Sequence, residues 1–391
     1  MLLAGLAIAV PTAIYTLANI SRAGNPAFAL RLVGNDARAL EKLSDVQFEA
    51  SLRSRKWEGA EALAQAALKR DATSVRAART LGMVADLERR PKQAALLIQY
   101  ANKLSRRDLG VHLYLIEQHV AKEDARGALR QFDLALRTSN AAFDILTPVL
   151  SGAIGDPQLR APIAELFDTD PEWLPRFLEA VIPTTESPKA LAQVLLAARK
   201  SHAARAPEAT RQLLQRFIKD EEFRFAKAFY TARTPAAKRG TGLVVDGNFT
   251  SGGEAFPFGW SYTLASDIGA ESTPPQGLRY YASMGQGGRA ATQLLTLDPG
   301  TYRLVSVATN PSTDGFAGPA WVMRCAGARG RELMTMRFPR QAQRDMQMSR
   351  VVTIPSQSCA AQWLLLELRG TQEQEGLDGF VRSVRIVPAG K

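Results

Sequence analysis

The chain has 391 residues, 46% of them hydrophobic, and a formal net charge of +11. That length holds two or three domains, and the apolar share is ordinary for a globular protein that buries a core. The surplus charge lies mostly before Leu243, in pairs such as Lys69-Arg70, Arg89-Arg90, Arg106-Arg107 and Lys238-Arg239; no run is long enough for a nucleic-acid arm, which leaves a solvated helical surface or an acidic protein, polysaccharide or lipid partner.

Met1 to Ile20 carry no charged side chain, and Leu2, Leu3, Leu6, Ile8, Val10, Ile14, Leu17 and Ile20 make the stretch apolar. A helix of about 20 such residues crosses a bilayer core. No basic segment precedes the stretch, and Ser21-Arg22-Ala23 is a poor cleavage site. An uncleaved transmembrane anchor over residues 1–21 is therefore expected rather than a removed signal. Arg22, Arg31 and Arg38 follow it, which by the positive-inside rule favours a cytoplasmic body. The two cysteines, Cys325 and Cys359, argue the other way. They share the strand-rich C-terminal third and sit in no CxxC or Cys/His pattern. Such a pair fits a disulfide and an oxidising compartment; two unrelated buried thiols are the alternative. The expectation is a single-pass protein of a bacterial inner membrane with its body in the periplasm, and a cytoplasmic body is the alternative.

From about Asp36 to Arg233 the pattern is helical. Ala60, Ala94 and Ala128 fall 34 residues apart, and each opens one motif: Ala60-x3-Ala64-x2-Ala67, Ala94-x3-Ile98-x2-Ala101 and Ala128-x3-Phe132-x2-Ala135. Positions i, i+4 and i+7 share a helix face, and small residues there let paired helices approach closely. These nine residues are the expected packing positions of helices over Glu58–Arg70, Lys92–Leu104 and Arg126–Arg137. Asp71, Ser105 and Ser139, capping residue types, recur at the same period where one helix stops and the next begins. The pattern over residues 36–140 resembles the tetratricopeptide repeat family. Leu81-Gly82 matches the family's Leu-Gly pair once, whereas its terminal Pro is replaced by Ala72, Arg106 and Asn140. The resemblance implies an α-solenoid that binds a protein partner.

Over residues 141–233 the period fades into degenerate helical hairpins. Asp156-Pro157, Asp170-Pro171 and Ser187-Pro188 each read as a cap followed by Pro at the first helical position. They predict helices over Pro157–Phe167, Pro171–Ile182 and Pro188–His202, with a further pair over Pro207–Ala232. Residues 234–242, rich in Pro, Gly and basic side chains, read as a linker.

Beyond the linker, short alternating runs predict strands over Leu243–Val245, Trp260–Thr263, Gly277–Ser283, Ala290–Leu297, Gly300–Thr309, Ala320–Cys325, Ser349–Thr353, Gln362–Arg369 and Gly379–Val387. So many short strands in residues 243–388 read as an antiparallel β-sandwich. Asp246-Gly247-Asn248-Phe249 with Phe258-Gly259-Trp260, the run Gln293 to Leu304 around the Pro299-Gly300 turn, and Leu377-Asp378-Gly379-Phe380 resemble the galactose-binding-like sandwiches used as carbohydrate-binding modules, and the resemblance implies a jelly roll.

Little in the chain points to chemistry. His112 and His119 are seven residues apart, too far along one helix for a shared metal, and no Cys/His cluster, G-x-S-x-G or HExxH pattern exists. No cofactor is expected beyond a structural calcium involving Asp246 or Asp378. An enzyme acting on glycans would draw on sandwich carboxylates, among Asp246, Glu254, Asp267, Glu271, Glu373, Glu375 and Asp378, with two of them facing each other. Aromatic rings suit the apolar faces of sugars. Trp260, Tyr262, Tyr280, Tyr281 and Trp321, with Arg279 and Gln293 as polar partners, are the candidate ligand contacts. Tyr280 and Tyr281 point to opposite strand faces, so at most one is core. Trp363, flanked by Leu364, Leu365 and Leu366, is expected in the core. The reading is a non-enzymatic envelope scaffold whose solenoid binds protein and whose sandwich binds polysaccharide or protein; by analogy such a pairing suits cell-surface polysaccharide assembly or export. A pure protein scaffold and a glycan-acting enzyme are the alternatives.

Overall fold

A computed structural model describes residues 2–234, 242–251, 256–309, 317–327, 330–339, 345–370 and 376–389, apart from the side chains of residues 2–8 and Thr309. The chain divides into two compact units, residues 1–173 and 174–391. The interior of the expected linker and Glu254, Glu373 and Glu375 lie outside the described residues.

The first unit is helical: α1 (Leu2–Ser21), α2 (Pro26–Leu32), α3 (Ala37–Ser51), α4 (Glu58–Arg70), α5 (Val75–Leu87), α6 (Pro91–Leu104), α7 (Leu109–Val120), α8 (Ala125–Thr138), α9 (Asn140–Ala153) and α10 (Pro157–Phe167). Helices α4, α6 and α8 carry the repeat motif, and all nine motif residues are buried. Small side chains at these positions set how closely the hairpins close. A Cβ on Gly82 of α5 would lie 2.8 Å from Cγ1 of Ile98 on α6. Asp71, Ser105 and Ser139 are the C-caps of α4, α6 and α8. Asp108 and Asp124 cap α7 and α8, accepting backbone N–H bonds from Val111 and Gly127. Arg79 of α5 lies between α3 and α7, pairing with Asp45 and, at 2.6 Å, with Asp108.

Helix α1 covers the segment expected to span a membrane, but among the described residues no helix is long and apolar enough to do so. Pro11 lies within α1, and Ala18 is buried with Ala29 of α2 and Ala39 of α3. The C-terminal turns of α1 thus pack on the array, and the anchor expectation is not supported.

The second unit opens with α11 (Leu174–Val181), α12 (Pro188–Ala197), α13 (His202–Arg205), α14 (Pro207–Lys219) and α15 (Phe223–Arg233). The helix expected from Pro171 starts three residues later, after a turn at Glu172-Trp173. The helix expected to reach His202 stops where Ala198 takes a non-helical ψ of 74°. Ten strands follow: β1 (Ser261–Tyr262), β2 (Ile268–Thr273), β3 (Gly277–Ala282), β4 (Gly288–Leu295), β5 (Gly300–Thr309), β6 (Gly318–Cys325), β7 (Glu332–Arg337), β8 (Met346–Ile354), β9 (Gln362–Arg369) and β10 (Leu377–Pro388). They form two five-stranded antiparallel sheets, ordered β1-β4-β9-β6-β7 and β2-β3-β10-β5-β8. The core holds Trp260, Leu278, Tyr280, Leu304, Trp321, Leu364, Leu366, Val381 and Val384.

The chain is thus a helical array followed by an antiparallel sandwich. Strands β2 and β7 escape sequence reading because polar or charged residues occupy much of Ile-Gly-Ala-Glu-Ser-Thr and both ends of Glu-Leu-Met-Thr-Met-Arg. Leu243–Val245 is not a strand. Val245 is held by a side chain instead: Gln293 Oε1 accepts its N–H and Gln293 Nε2 donates to its carbonyl, both at 2.9 Å. Cys325, at the end of β6, is disulfide-bonded to Cys359, just before β9.

Two stability predictions follow from this packing. Gly82→Leu forces a side chain into the space of Ile98 and should cost about 1–3 kcal/mol in urea unfolding. The disulfide links residues 34 apart. Replacing both cysteines by Ser should cost about 3–4 kcal/mol on the chain-entropy account, read as a lower unfolding midpoint whose difference disappears under reduction.

Candidate functional site

The seven ligand candidates do not assemble into one site. Trp260, Tyr280, Gln293 and Trp321 are buried at 2%, 0%, 0% and 0% exposure, so their expected contact role is corrected to a structural one. Trp260 Nε1–H donates to the Asp246 carbonyl at 3.1 Å, and Trp321 Nε1–H donates to Ser306 Oγ at 3.0 Å. Both indoles satisfy their single polar group internally, as buried tryptophans require. The Tyr280 ring meets Phe338 edge-on at 6.2 Å. Gln293 is fully engaged by Val245. The sandwich interior is wide enough to need rings this large, and it takes them from the same strands that were expected to carry ligand contacts.

The other three candidates are separated. Tyr262 lies half-buried on the short edge strand β1, and burial pushes its phenol above the ordinary value. Arg279 and Tyr281 share the outer face of the β2-β3-β10-β5-β8 sheet, with the guanidinium 5.9 Å from the ring centre. Arg279 is already committed, to Asp378 at 2.5 Å and Glu271 at 3.3 Å. The Asp378 carboxylate holds its guanidinium protonated more firmly than usual. Asp246 accepts bonds from the backbone and hydroxyl groups of Thr250 and Ser251. Among the described residues no three His, Cys, Asp or Glu side chains are grouped to hold a metal. His112 is buried, with its ring nitrogens 2.9 Å from Gln131 Oε1 and the Arg106 carbonyl.

A different surface does bring functional groups together: the outer face of the β1-β4-β9-β6-β7 sheet. Opposed residues of antiparallel strands share a face, and the register places three rungs across it. The first runs Leu294, Trp363, Arg324, Glu332; the second Thr292, Leu365, Val322, Thr335; the third Arg289, Glu367, Ala320, Arg337. Ala320, Val322 and Leu365 form a small buried cluster with Trp363 half-buried against it. The Trp363 ring stacks near Phe256 at 6.5 Å and 21° between planes. Arg324 reaches Glu367 at 3.2 Å and Glu332 at 3.8 Å. Two grooves of about 450 and 570 Å³ open on this face, and Arg324 and Glu367 line both.

Trp363 is therefore not in the sandwich core, contrary to the expectation from its leucine neighbours. Leu364, Leu366 and Leu368 point inward while Trp363, Leu365, Glu367 and Arg369 alternate with them. The period-2 signal that marks Trp363 as outward is present in β9. The outward Leu365, buried in the satellite cluster, breaks it into an apolar run and hides it.

No protein family's profile matches the chain, and no curated protein matches it. Among solved structures the chain is similar to a family 16 carbohydrate-binding module, at 16% identity over 37% of this chain and 99% of that one, TM-score 0.27. It is similar to YrrB, a TPR protein with an unusual peptide-binding site, at 15% identity over 54% and 91%, TM-score 0.26. It is also similar to the CBM22-1 xylan-binding domain of Paenibacillus barcinonensis Xyn10C, at 14% identity over 40% and 100%, TM-score 0.25.

The placement of the two tryptophans predicts opposite behaviour. Trp321→Ala should remove about 3–5 kcal/mol of stability, as core aromatic truncations do. Trp363→Ala should cost much less, because its ring is only half-buried. Urea unfolding of both variants checks this; equal losses would place Trp363 in the core.

Proposed function

We propose that the protein is a non-enzymatic binding scaffold: its helical array docks a protein partner, and the outer face of the β1-β4-β9-β6-β7 sheet takes a polysaccharide. The observation that carries the carbohydrate half is the Trp363 rung. It sets a partly exposed indole opposite Arg324, whose guanidinium reaches along the face to Glu367, on strands fixed by their registers. A ring against an apolar sugar face, flanked by a few oriented polar groups, is the chemistry of sugar recognition. Both nearby carboxylates, Glu332 and Glu367, are engaged by the Arg324 guanidinium, which supports binding over hydrolysis.

For the array, a groove of about 620 Å³ is lined by Arg22, Arg38, Lys42, Arg76 and Arg107 against Glu41, Asp71 and Asp108. Five cations to three carboxylates favour an acidic protein segment. The disulfide supports a body that folds in an oxidising compartment, the bacterial periplasm on this reading.

The full chain should retain on a glycan array. Trp363→Ala, with its unfolding transition intact, should weaken that binding about tenfold, equivalent to about 1.4 kcal/mol. Absence of binding to every glycan would remove the carbohydrate half and leave a protein scaffold. Glycan turnover abolished by Glu367→Gln would instead make the protein an enzyme.

A further inference from the structure

A second polar cleft lies within the C-terminal unit, and its lining does not include Trp363. Arg224 and Lys227 of α15 are three residues apart and so share one helix face. They line a cleft of about 360 Å³ together with Thr296, Ser356 and Ser358 from the sandwich loops. Lys227 is half-buried, and its Nζ lies 4.7 Å from the centre of the Phe258 ring and 5.5 Å from that of Tyr230. Among the described residues no carboxylate is within ion-pair distance of Lys227 or Arg224. Asp298, exposed to solvent, is the one acidic residue on the lining.

A half-buried ammonium without a counter-ion is costly. Burial pushes the Lys227 pKa below its ordinary value, and no charge partner opposes that shift. The two ring faces offset part of the cost through cation–π attraction, about 0.5–2 kcal/mol. They also leave the ammonium fixed and its hydrogen-bonding capacity unsatisfied by any anion. Arg224 adds a planar fork suited to a carboxylate. Three hydroxyls stand opposite.

We propose that this cleft binds the carboxylate of a uronic-acid unit of a polysaccharide, Lys227 and Arg224 holding the carboxylate and Thr296, Ser356 and Ser358 the sugar hydroxyls. This rests on the carbohydrate reading above and narrows it to acidic glycans. The cleft is near the lower limit of ligand-pocket size, which fits one sugar unit. Its rim favours sugar over an acidic peptide. Extended peptides dock through main-chain hydrogen bonds to a strand edge, whereas this rim is made of turns whose Pro299 and Pro355 offer no N–H.

The test titrates the full chain by calorimetry with D-glucuronate, with neutral methyl glucoside and with an acidic peptide. Glucuronate should bind and methyl glucoside should not. Lys227→Gln should weaken glucuronate at least tenfold, Arg224→Gln should weaken it as well, and Lys227→Arg should restore most of the affinity. Arg224 is exposed, so its variant tests the idea even if Lys227→Gln disturbs the fold. Equal binding of glucuronate and methyl glucoside, indifference to both variants, or Lys227-dependent binding of the peptide alone would overturn the proposal. Neutral glycan binding that depends on Trp363, with no glucuronate bound, would sink the cleft and keep the sheet face. Glucuronate bound through Lys227, with no glycan dependent on Trp363, would do the reverse.

Discussion

Between the two sheets, Trp260 and Trp321 meet with ring centres 5.7 Å apart, and Phe249 packs on Trp260 at 5.2 Å. Much of the C-terminal domain depends on that contact. The indoles span the gap that two facing sheets leave between them, and each closes its N–H on a neighbouring oxygen inside the domain. Because the core takes these rings, the aromatics left for recognition are those on outward positions. Trp363 with Phe256 is such a group, whereas Phe258 and Tyr230 are themselves buried and serve only to hold Lys227 over their faces. Packing thus decides where binding chemistry can sit before any ligand is considered.

The helical array obeys a different constraint. Its hairpins close to the distance that alanine and glycine permit, and the buried motif residues leave little room for variation. Small contact residues bury little area each, so the array also relies on caps and on ties such as Arg79 between Asp45 and Asp108. The same economy leaves the surplus of basic side chains on the surface, where several gather on one groove. In the C-terminal unit, Arg324 is shared between two carboxylates, while Lys227 is matched only by ring faces. That contrast in how charge is compensated separates a satisfied structural arrangement from one that a ligand would complete.

Much of the fold was legible in order. The alanine ladder at positions 60, 94 and 128 placed three helices to within a residue or so of their ends, because a fixed period and small residues constrain helix pairing directly. Asp156 and Ser187 each marked a helix start that Pro then fixed. Strands bounded by turn residues, such as Gly300–Thr309 after Pro299, were also readable. Strands β2 and β7 were not, since their stability comes from neighbours in the sheet rather than from their own residues. The apolar N-terminal segment read as a membrane span on hydropathy alone. Hydropathy cannot anticipate that Ala18 packs on the array.

The sequence by itself determined the two architectures, the helix faces that pack, the caps and the pair of cysteines, because each follows from local period, residue size or residue type. Only the tertiary structure decided which aromatics are core and which face outward. An indole in a β-strand has the same local signature in either place. What separates Trp321 from Trp363 is which sheet face each occupies and what covers it, and that is set by strands far away in the chain.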